Sequence, residues 1–458
     1  MNYQHLTDNH IFAIPVGEIF GKASDDFLIV YAPLNGNMTL ATRKMVEDLE
    51  QAANGENPPE EQSKLLRRLT SEGNFPVYRV PKSPHEMFQI DILSNYTCNF
   101  NCIYCYSAAG RSSQQAKFED IKAVIDYLFK SGKKQTNPYI INFSGGGEPL
   151  LSFPLIRQTV SYIHEVSANT SYRYNLGVVT NGSLLTEDIA LYFKENVVDV
   201  AVSFEILEDL QNKERGSYDR VSKNIDMLNR LGVPFGIRTT FTPESVTRMS
   251  EMVEELHDRY PYLRKVVYDT VLAPALFPTP QDLEAYYDNF IAGFYAAKTL
   301  GAKYDILVQS IAVEMLQMVR DRTCQGKIVL TPSGSVSSCA RVSSPKETLY
   351  NEHIYGGIKE GKLIMDEQRF SAMMSECNIY SQEICHNCYA KWNCGGGCRL
   401  FNQSFSEPFQ QVRCNFVRKA VKKQALIILS ERYSSATGGR NLVDDMKTKM
   451  KQGDEMDI

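Results

Sequence analysis

Residues 98–105 read Cys98-Asn99-Phe100-Asn101-Cys102-Ile103-Tyr104-Cys105. Three thiols packed this tightly can bind three irons of a four-iron cluster, which normally takes four thiolates, and leave one iron open to an outside ligand. Zinc is the alternative for such thiols. It asks for four ligands, commonly two pairs set well apart, and no fourth cysteine or histidine lies nearby in sequence. Directly upstream, residues 88–93 read as a strand. The thiols therefore stand on a loop at a strand's C-terminal end, where barrel folds carry their active sites.

Outward from this loop, strand-like and helix-like segments alternate. Strands are expected at 88–93, 139–143, 176–180, 198–204, 235–241 and 265–271, mostly β-branched or aromatic runs suited to burial on both faces. Amphipathic helices are expected at 118–130, 153–166, 186–194, 218–231 and 243–259. This is a βα repeat. Six units fall short of the eight of a closed barrel, so the expectation is an α/β fold with a partial (βα)6 TIM-like barrel over 85–313. Before it, strands at 11–15 and 27–31 and helices at 45–53 and 60–69 form a small N-terminal α+β module, 1–84. Residues 314–432 read as a loop-rich C-terminal iron–sulfur domain. Residues 433–458 read as a polar tail, mobile or loosely helical.

Composition narrows the class. The chain has 458 residues, 43% hydrophobic and 22% charged, as in ordinary soluble globular proteins. A net charge of −5 lacks the basic field of a nucleic-acid binder. No apolar run approaches the roughly 18 residues of a membrane helix, and the start, MNYQHLTDNH, has no secretory pattern. A cytoplasmic protein is expected, with no nucleic-acid or membrane partner. Its eleven cysteines then point to metal or redox chemistry rather than disulfides. None precedes Cys98, three lie in the 98–105 loop, and eight fall between Cys324 and Cys414.

The cysteine loop, with an aromatic residue before its third thiol, resembles the radical S-adenosylmethionine (SAM) family. That resemblance implies an open iron chelating the amine and carboxylate of SAM, with Tyr104 near the adenine. Gly145-Gly146-Gly147-Glu148-Pro149, about forty residues on, looks like the family's glycine–glycine–glutamate turn. There Gly146 and Gly147 let backbone carbonyls approach the ligand, and Glu148 accepts from its amine. Thr180-Asn181-Gly182 and Ser203-Phe204-Glu205 close the third and fourth strands as in relatives, placing Asn181, Ser203 and Glu205 near the cofactor. Glu205 stands where relatives often have aspartate. Arg215 or Arg238 is a candidate for the carboxylate.

The later cysteines match a second pattern. Cys324, nine residues, Gly334, four residues and Cys339 are followed by Cys385-x-x-Cys388, Cys394, Cys398 and Cys414. This resembles the seven-cysteine SPASM domain, whose members carry two auxiliary four-iron clusters. Two such clusters need eight thiolates, and Cys377 completes the eight. Three clusters then account for all eleven cysteines. By the resemblance, Cys324, Cys339, Cys377 and Cys398 hold the nearer auxiliary cluster, and Cys385, Cys388, Cys394 and Cys414 the outer one. A zinc ribbon is the alternative. His386, between two ligands, reads as solvent-facing.

Enzymes resembling this pattern mostly modify peptides or proteins. Many begin with a recognition module that adds a leader peptide as an extra strand, which suits residues 1–84. The expectation is a maturase that crosslinks a ribosomally made precursor peptide, as a thioether or carbon–carbon bond, and takes electrons from a donor such as flavodoxin or ferredoxin. One alternative is an anaerobic sulfatase maturase that makes formylglycine. That branch usually has an aspartate after the domain's second cysteine, where this chain has Ala340 and Arg341. The other is a non-enzymatic iron–sulfur electron carrier or peptide-binding protein.

Overall fold

A computed structural model describes residues 3–16, 27–56, 59–71, 77–130, 135, 137–168, 170–445 and 448. The chain divides into two compact units. The larger comprises Pro81–Ser310 and Gln325–Ser375; the smaller comprises Met1–Val80, Ile311–Cys324 and Glu376–Ile458.

The smaller unit begins with an antiparallel sheet in the order β1 (Phe12–Pro15), β2 (Phe27–Ala32), β3 (Asn37–Thr42). Leu28 and Val30 of β2 and Ala41 of β3 pack with Leu6, Ile11, Val46, Leu49 and Leu69 into one apolar core. The helices Arg43–Ala53 and Glu60–Thr70 supply the last three. Thr42 starts the first of them by accepting from the Met45 amide at 3.3 Å, a standard N-cap that satisfies one orphan donor. Both helices and the first two strands were legible in the sequence; β3 was not. A short parallel pair, β4 (Val77–Tyr78) with β12 (Val319–Arg320), belongs to the same unit. So does the helix Glu407–Ala436, 30 residues long. The expectation of a loop-rich region and a separate tail from 433 is corrected there, because the helix continues unbroken to Ala436. Residues 446–447 and 449–458 of the expected tail lie outside the described residues.

The larger unit is built on parallel strands. β5 (Gln89–Ile92), β6 (Tyr139–Phe143), β7 (Tyr174–Thr180), β8 (Val198–Ser203), β9 (Phe235–Phe241), β10 (Lys265–Thr270) and β11 (Leu307–Gln309) lie side by side in sequence order. Helices between them, among them Phe118–Phe129, Phe153–Ser167, Glu187–Glu195, Tyr218–Arg230 and Met249–Arg259, provide the crossovers that parallel pairing requires. All six expected strands are present. β11, only three residues long, carries no readable period and joins as a seventh. On the other side of β5 the sheet continues through β13 (Ile328–Leu330), parallel to β5, and then β14 (Ser335–Ser337), β15 (Ile354–Lys359) and β16 (Lys362–Met365), all antiparallel. Strand β5 therefore has a neighbour on both sides, and the sheet stays open in the manner of a partial barrel.

The expected boundaries are redrawn accordingly. Residues 325–375 extend the central sheet rather than belonging to a single 314–432 domain, and the rest of that stretch folds with the N-terminal module. Among the described residues no helix is long and apolar enough to cross a membrane.

Candidate functional site

The C-terminal ends of β5 to β8 carry the segments singled out in the sequence. The 98–105 loop follows β5 and turns back through a bond from the Cys105 amide to the Cys102 carbonyl at 3.2 Å. Burial pushes the Cys98 and Cys102 thiols up, and at Cys102 the guanidinium of Arg215 pulls the other way. Cys102 also feels both Cys98 and Cys105, and Cys98 feels Cys105, so the three are neighbours in space. Arg111 adds a cation, with Nη2 3.6 Å from the Cys105 sulfur. Asn99 braces the loop from inside: its side chain donates to Ser183 Oγ at 2.8 Å and accepts from Asn181 Nδ2 at 2.9 Å.

The glycine turn after β6 lies against the entry to that loop. The amides of Gly147 and Glu148 donate to the carbonyls of Asn95 and Thr97 at 2.9 and 2.8 Å. A Cβ on Gly147 would come within 1.9 Å of the Thr97 oxygen, and one on Gly146 within 2.6 Å of the Asn95 oxygen. The glycines are needed for this backbone contact. Glu148 is 3% exposed, and its carboxylate accepts from Thr180 Oγ1 at 2.6 Å, the Asn181 amide at 2.8 Å and the Leu150 amide at 3.2 Å. These donors make Glu148 a tie between the turns after β6 and β7.

A second buried set stands beside the cysteines. Tyr104 donates to the Glu205 carboxylate, and Arg215 Nη1 donates to the same phenol oxygen at 2.9 Å. Arg215 and Glu205 also form an ion pair at 3.6 Å. Glu205 is fully buried, and burial, opposed by Arg215, pushes its carboxyl up to about 7. Tyr104 is thus engaged by protein groups on its hydroxyl. Of the two arginine candidates, Arg215 is the buried one; Arg238 is paired with Asp269 at 2.6 Å on an exposed face. Ser203 ends β8, opposite Arg238 in register.

The radical SAM superfamily signature matches residues 92–256, the span that holds the cysteine loop, the glycine turn and this buried set. Residues 92–256 are a radical SAM domain. An uncharacterised protein of Methanocaldococcus jannaschii is 34% identical over 165 residues, 35% of this chain and 54% of its own length, so this chain spans about half of that relative. The cysteine-type anaerobic sulfatase-maturating enzyme of Clostridium novyi is 21% identical over 66% of this chain and 85% of its own. Among solved structures, anSMEcpe with bound AdoMet superposes with a TM-score of 0.60 at 16% identity, covering 75% of this chain and 99% of its own. Streptococcus suis SuiB bound to precursor peptide SuiA superposes at 0.50 and 14%, covering 87% and 97%. At these identities the two structures establish the shared fold.

The donor set at β5 fits the group that radical SAM domains bind. Three thiols are grouped, while the buried carboxylates Glu148 and Glu205 are already engaged by protein donors, so sulfur is the ligand on offer. Among the described residues no three His, Cys, Asp or Glu are drawn together around a single-ion position.

Of the later cysteines, Cys385, Cys388, Cys394 and Cys414 line one cavity of about 660 Å³ in the smaller unit. Burial, reinforced by the other three thiols, pushes Cys385 up to about 12. Cations crowd the set: Arg413 and Arg418 line the same cavity, Arg418 lies within electrostatic reach of Cys388 and Cys414, and Arg320 and Arg413 both act on Cys394. Cys324, Cys377 and Cys398 also lie in the smaller unit, whereas Cys339 lies in the larger. Cys377 holds a positive φ of 50° and receives Asn402 Nδ2 at 3.6 Å. His386 is exposed.

Asn99, Arg111 and the three arginines around the outer thiols were missed in the sequence. Asn99 had a signal, since it sits inside the motif. Arg413 and Arg418 also had one, standing one residue before and four residues after Cys414 on a single helix, whereas Arg320 reaches the thiols only through the packing of β12.

Proposed function

We propose that this radical SAM enzyme is a peptide maturase that crosslinks side chains in a ribosomally made precursor, as a thioether or carbon–carbon bond. The observation that carries the reading is the composition of the smaller unit. It combines the antiparallel sheet of residues 12–42 with the cavity lined by Cys385, Cys388, Cys394 and Cys414. Strands β1 and β3 each pair on one side only, which leaves edges of the kind an extended peptide can extend. The likeness in fold to SuiB, which was solved with its precursor peptide, supports the same direction.

In this reading Cys98, Cys102 and Cys105 hold the SAM-binding cluster. Tyr104, Gly146, Gly147, Glu148, Asn181, Ser203, Glu205 and Arg215 shape the SAM pocket, with Glu148 and Glu205 acting through the groups they hold rather than directly. Two auxiliary clusters take Cys324, Cys339, Cys377 and Cys398, and Cys385, Cys388, Cys394 and Cys414. When bound and reduced, the first cluster supplies the electron that cleaves SAM to a 5′-deoxyadenosyl radical. An acidic electron-transfer protein of the flavodoxin or ferredoxin class is the donor, and the enzyme works in the cytoplasm.

The test is to incubate reconstituted enzyme, SAM and reductant with small peptides encoded beside its gene. Loss of the mass of a hydrogen pair per crosslink is expected; unchanged masses across all of them would overturn the reading. A sulfatase maturase is the second reading, favoured by the relative from Clostridium novyi. Ala340 and Arg341 offer no carboxylate where that branch usually has its base. Conversion of a sulfatase-motif cysteine or serine to formylglycine would select it.

A further inference from the structure

Residues 339–342, between β14 and the rest of the cysteine-rich segment, make a tight turn in the larger unit. The Val342 amide donates to the Cys339 carbonyl at 3.1 Å. Ser337 Oγ accepts from the Cys339 amide at 3.2 Å and approaches the Val342 carbonyl at 2.5 Å. Tyr96, at the entry to the cysteine loop, donates to the Ser343 carbonyl at 2.6 Å. On its other side the turn abuts the glycine motif: the Ala340 oxygen lies 3.3 Å from where a Cβ on Gly145 would stand. The turn is thus fixed against the entry to the cysteine loop and against the glycine turn, and it presents Arg341.

Arg341 is exposed and, among the described residues, forms no hydrogen bond or ion pair. Its guanidinium lies 5.3 Å from the ring centroid of Tyr106, which directly follows Cys105 and is 42% exposed. The Tyr106 phenol is within electrostatic reach of both Cys105 and Cys339. Ile103, in the same loop, is 53% exposed. A guanidinium held over an aromatic ring by cation–π attraction leaves its N–H donors free, which suits a planar carboxylate.

We propose that Arg341, oriented by Tyr106, anchors a carboxylate of the peptide substrate beside the SAM site. The inference rests on the maturase reading and deepens it by naming the substrate feature that is recognised. The carboxylate comes from an acidic side chain or from the peptide's C-terminus. Arg341 is a positioning residue here; the reacting bond lies elsewhere on the peptide.

The test uses reconstituted full-length enzyme with SAM and three probes followed by saturation-transfer NMR. These are acetyl-Gly-Asp-Gly-amide, acetyl-Gly-Gly-Gly with a free C-terminus, and acetyl-Gly-Asn-Gly-amide. One of the carboxylate probes is expected to bind about tenfold more tightly than the neutral one, and Arg341→Met to abolish that preference. Arg341→Lys should recover part of it, and Tyr106→Leu should weaken it. Iron content and melting equal to the parent establish that each variant is folded. Preference for the aspartyl probe assigns a side-chain partner, and preference for the free terminus assigns a C-terminal one. Equal binding of all three, no detectable binding, or a preference that survives Arg341→Met overturns the proposal. Peptide modification is read separately. If modified peptides show the same KM with Arg341→Met, the anchor fails and the maturase stands; if none is modified, the maturase fails and the NMR titration still decides the anchor.

Discussion

Arg215 donates from Nη1 to the phenol oxygen of Tyr104 at 2.9 Å, and Tyr104 in turn donates to Glu205. A residue inside the cysteine loop is thereby locked to the ends of the fourth strand and its following helix. The position of Cys102 and Cys105 depends on this lock, since Tyr104 lies between them.

The lock makes stability pH-dependent. Burial raises the Glu205 carboxyl from 4.5 to about 7, with Arg215 opposing. Between these values the unfolded chain releases the proton and the folded chain keeps it. The contribution is therefore whole below pH 4.5 and is lost as pH rises to about 7, amounting to about 3 kcal/mol at most. Glu205→Gln should flatten that slope, as measured by chemical denaturation at pH 5 and pH 7.5. An unchanged slope would contradict the raised carboxyl.

Gly147→Ala places a Cβ 1.9 Å from a backbone oxygen, and neither side can yield. We expect a loss of about 3 kcal/mol or more together with loss of the cluster at Cys98. Gly216→Ala, with open space around a φ of 98°, meets only the backbone strain of a left-handed L residue and should cost about 1–2 kcal/mol. Denaturation midpoints with iron assays compare the two.

Changing Cys98, Cys102 and Cys105 together to Ala should remove roughly four irons and end SAM cleavage. Iron bound through the cysteines of the smaller unit should remain. Persistent formation of 5′-deoxyadenosine would show that the loop is not the SAM site.

The cations around Cys385, Cys388, Cys394 and Cys414 favour the electron-rich state of a cluster held there. Arg418→Met removes a cation facing Cys388 and Cys414 and should lower the midpoint potential by on the order of 60 mV, a tenfold change in a one-electron equilibrium. Redox titration followed by EPR measures it, and an unshifted midpoint would deny Arg418 that role.

Periodicity made the six central strands and their helices readable, because short strand-forming runs that bury alternate residues, such as Tyr139–Phe143, alternate with amphipathic helices. Local spacing likewise exposed the cysteine and glycine motifs, whose chemistry needs residues adjacent in the chain. Packing decided the rest. Strands β11 and β13 are three residues each, too short to carry a period, and only their pairing to β10 and β5 reveals them. The engagement of Glu148 by Thr180 and Asn181, the approach of Arg320 to Cys394, and Arg341 beside Tyr106 are contacts between residues 30 or more positions apart. Charge and hydrogen bonding act through space over a few ångströms, so linear order could mark these side chains without saying what they meet.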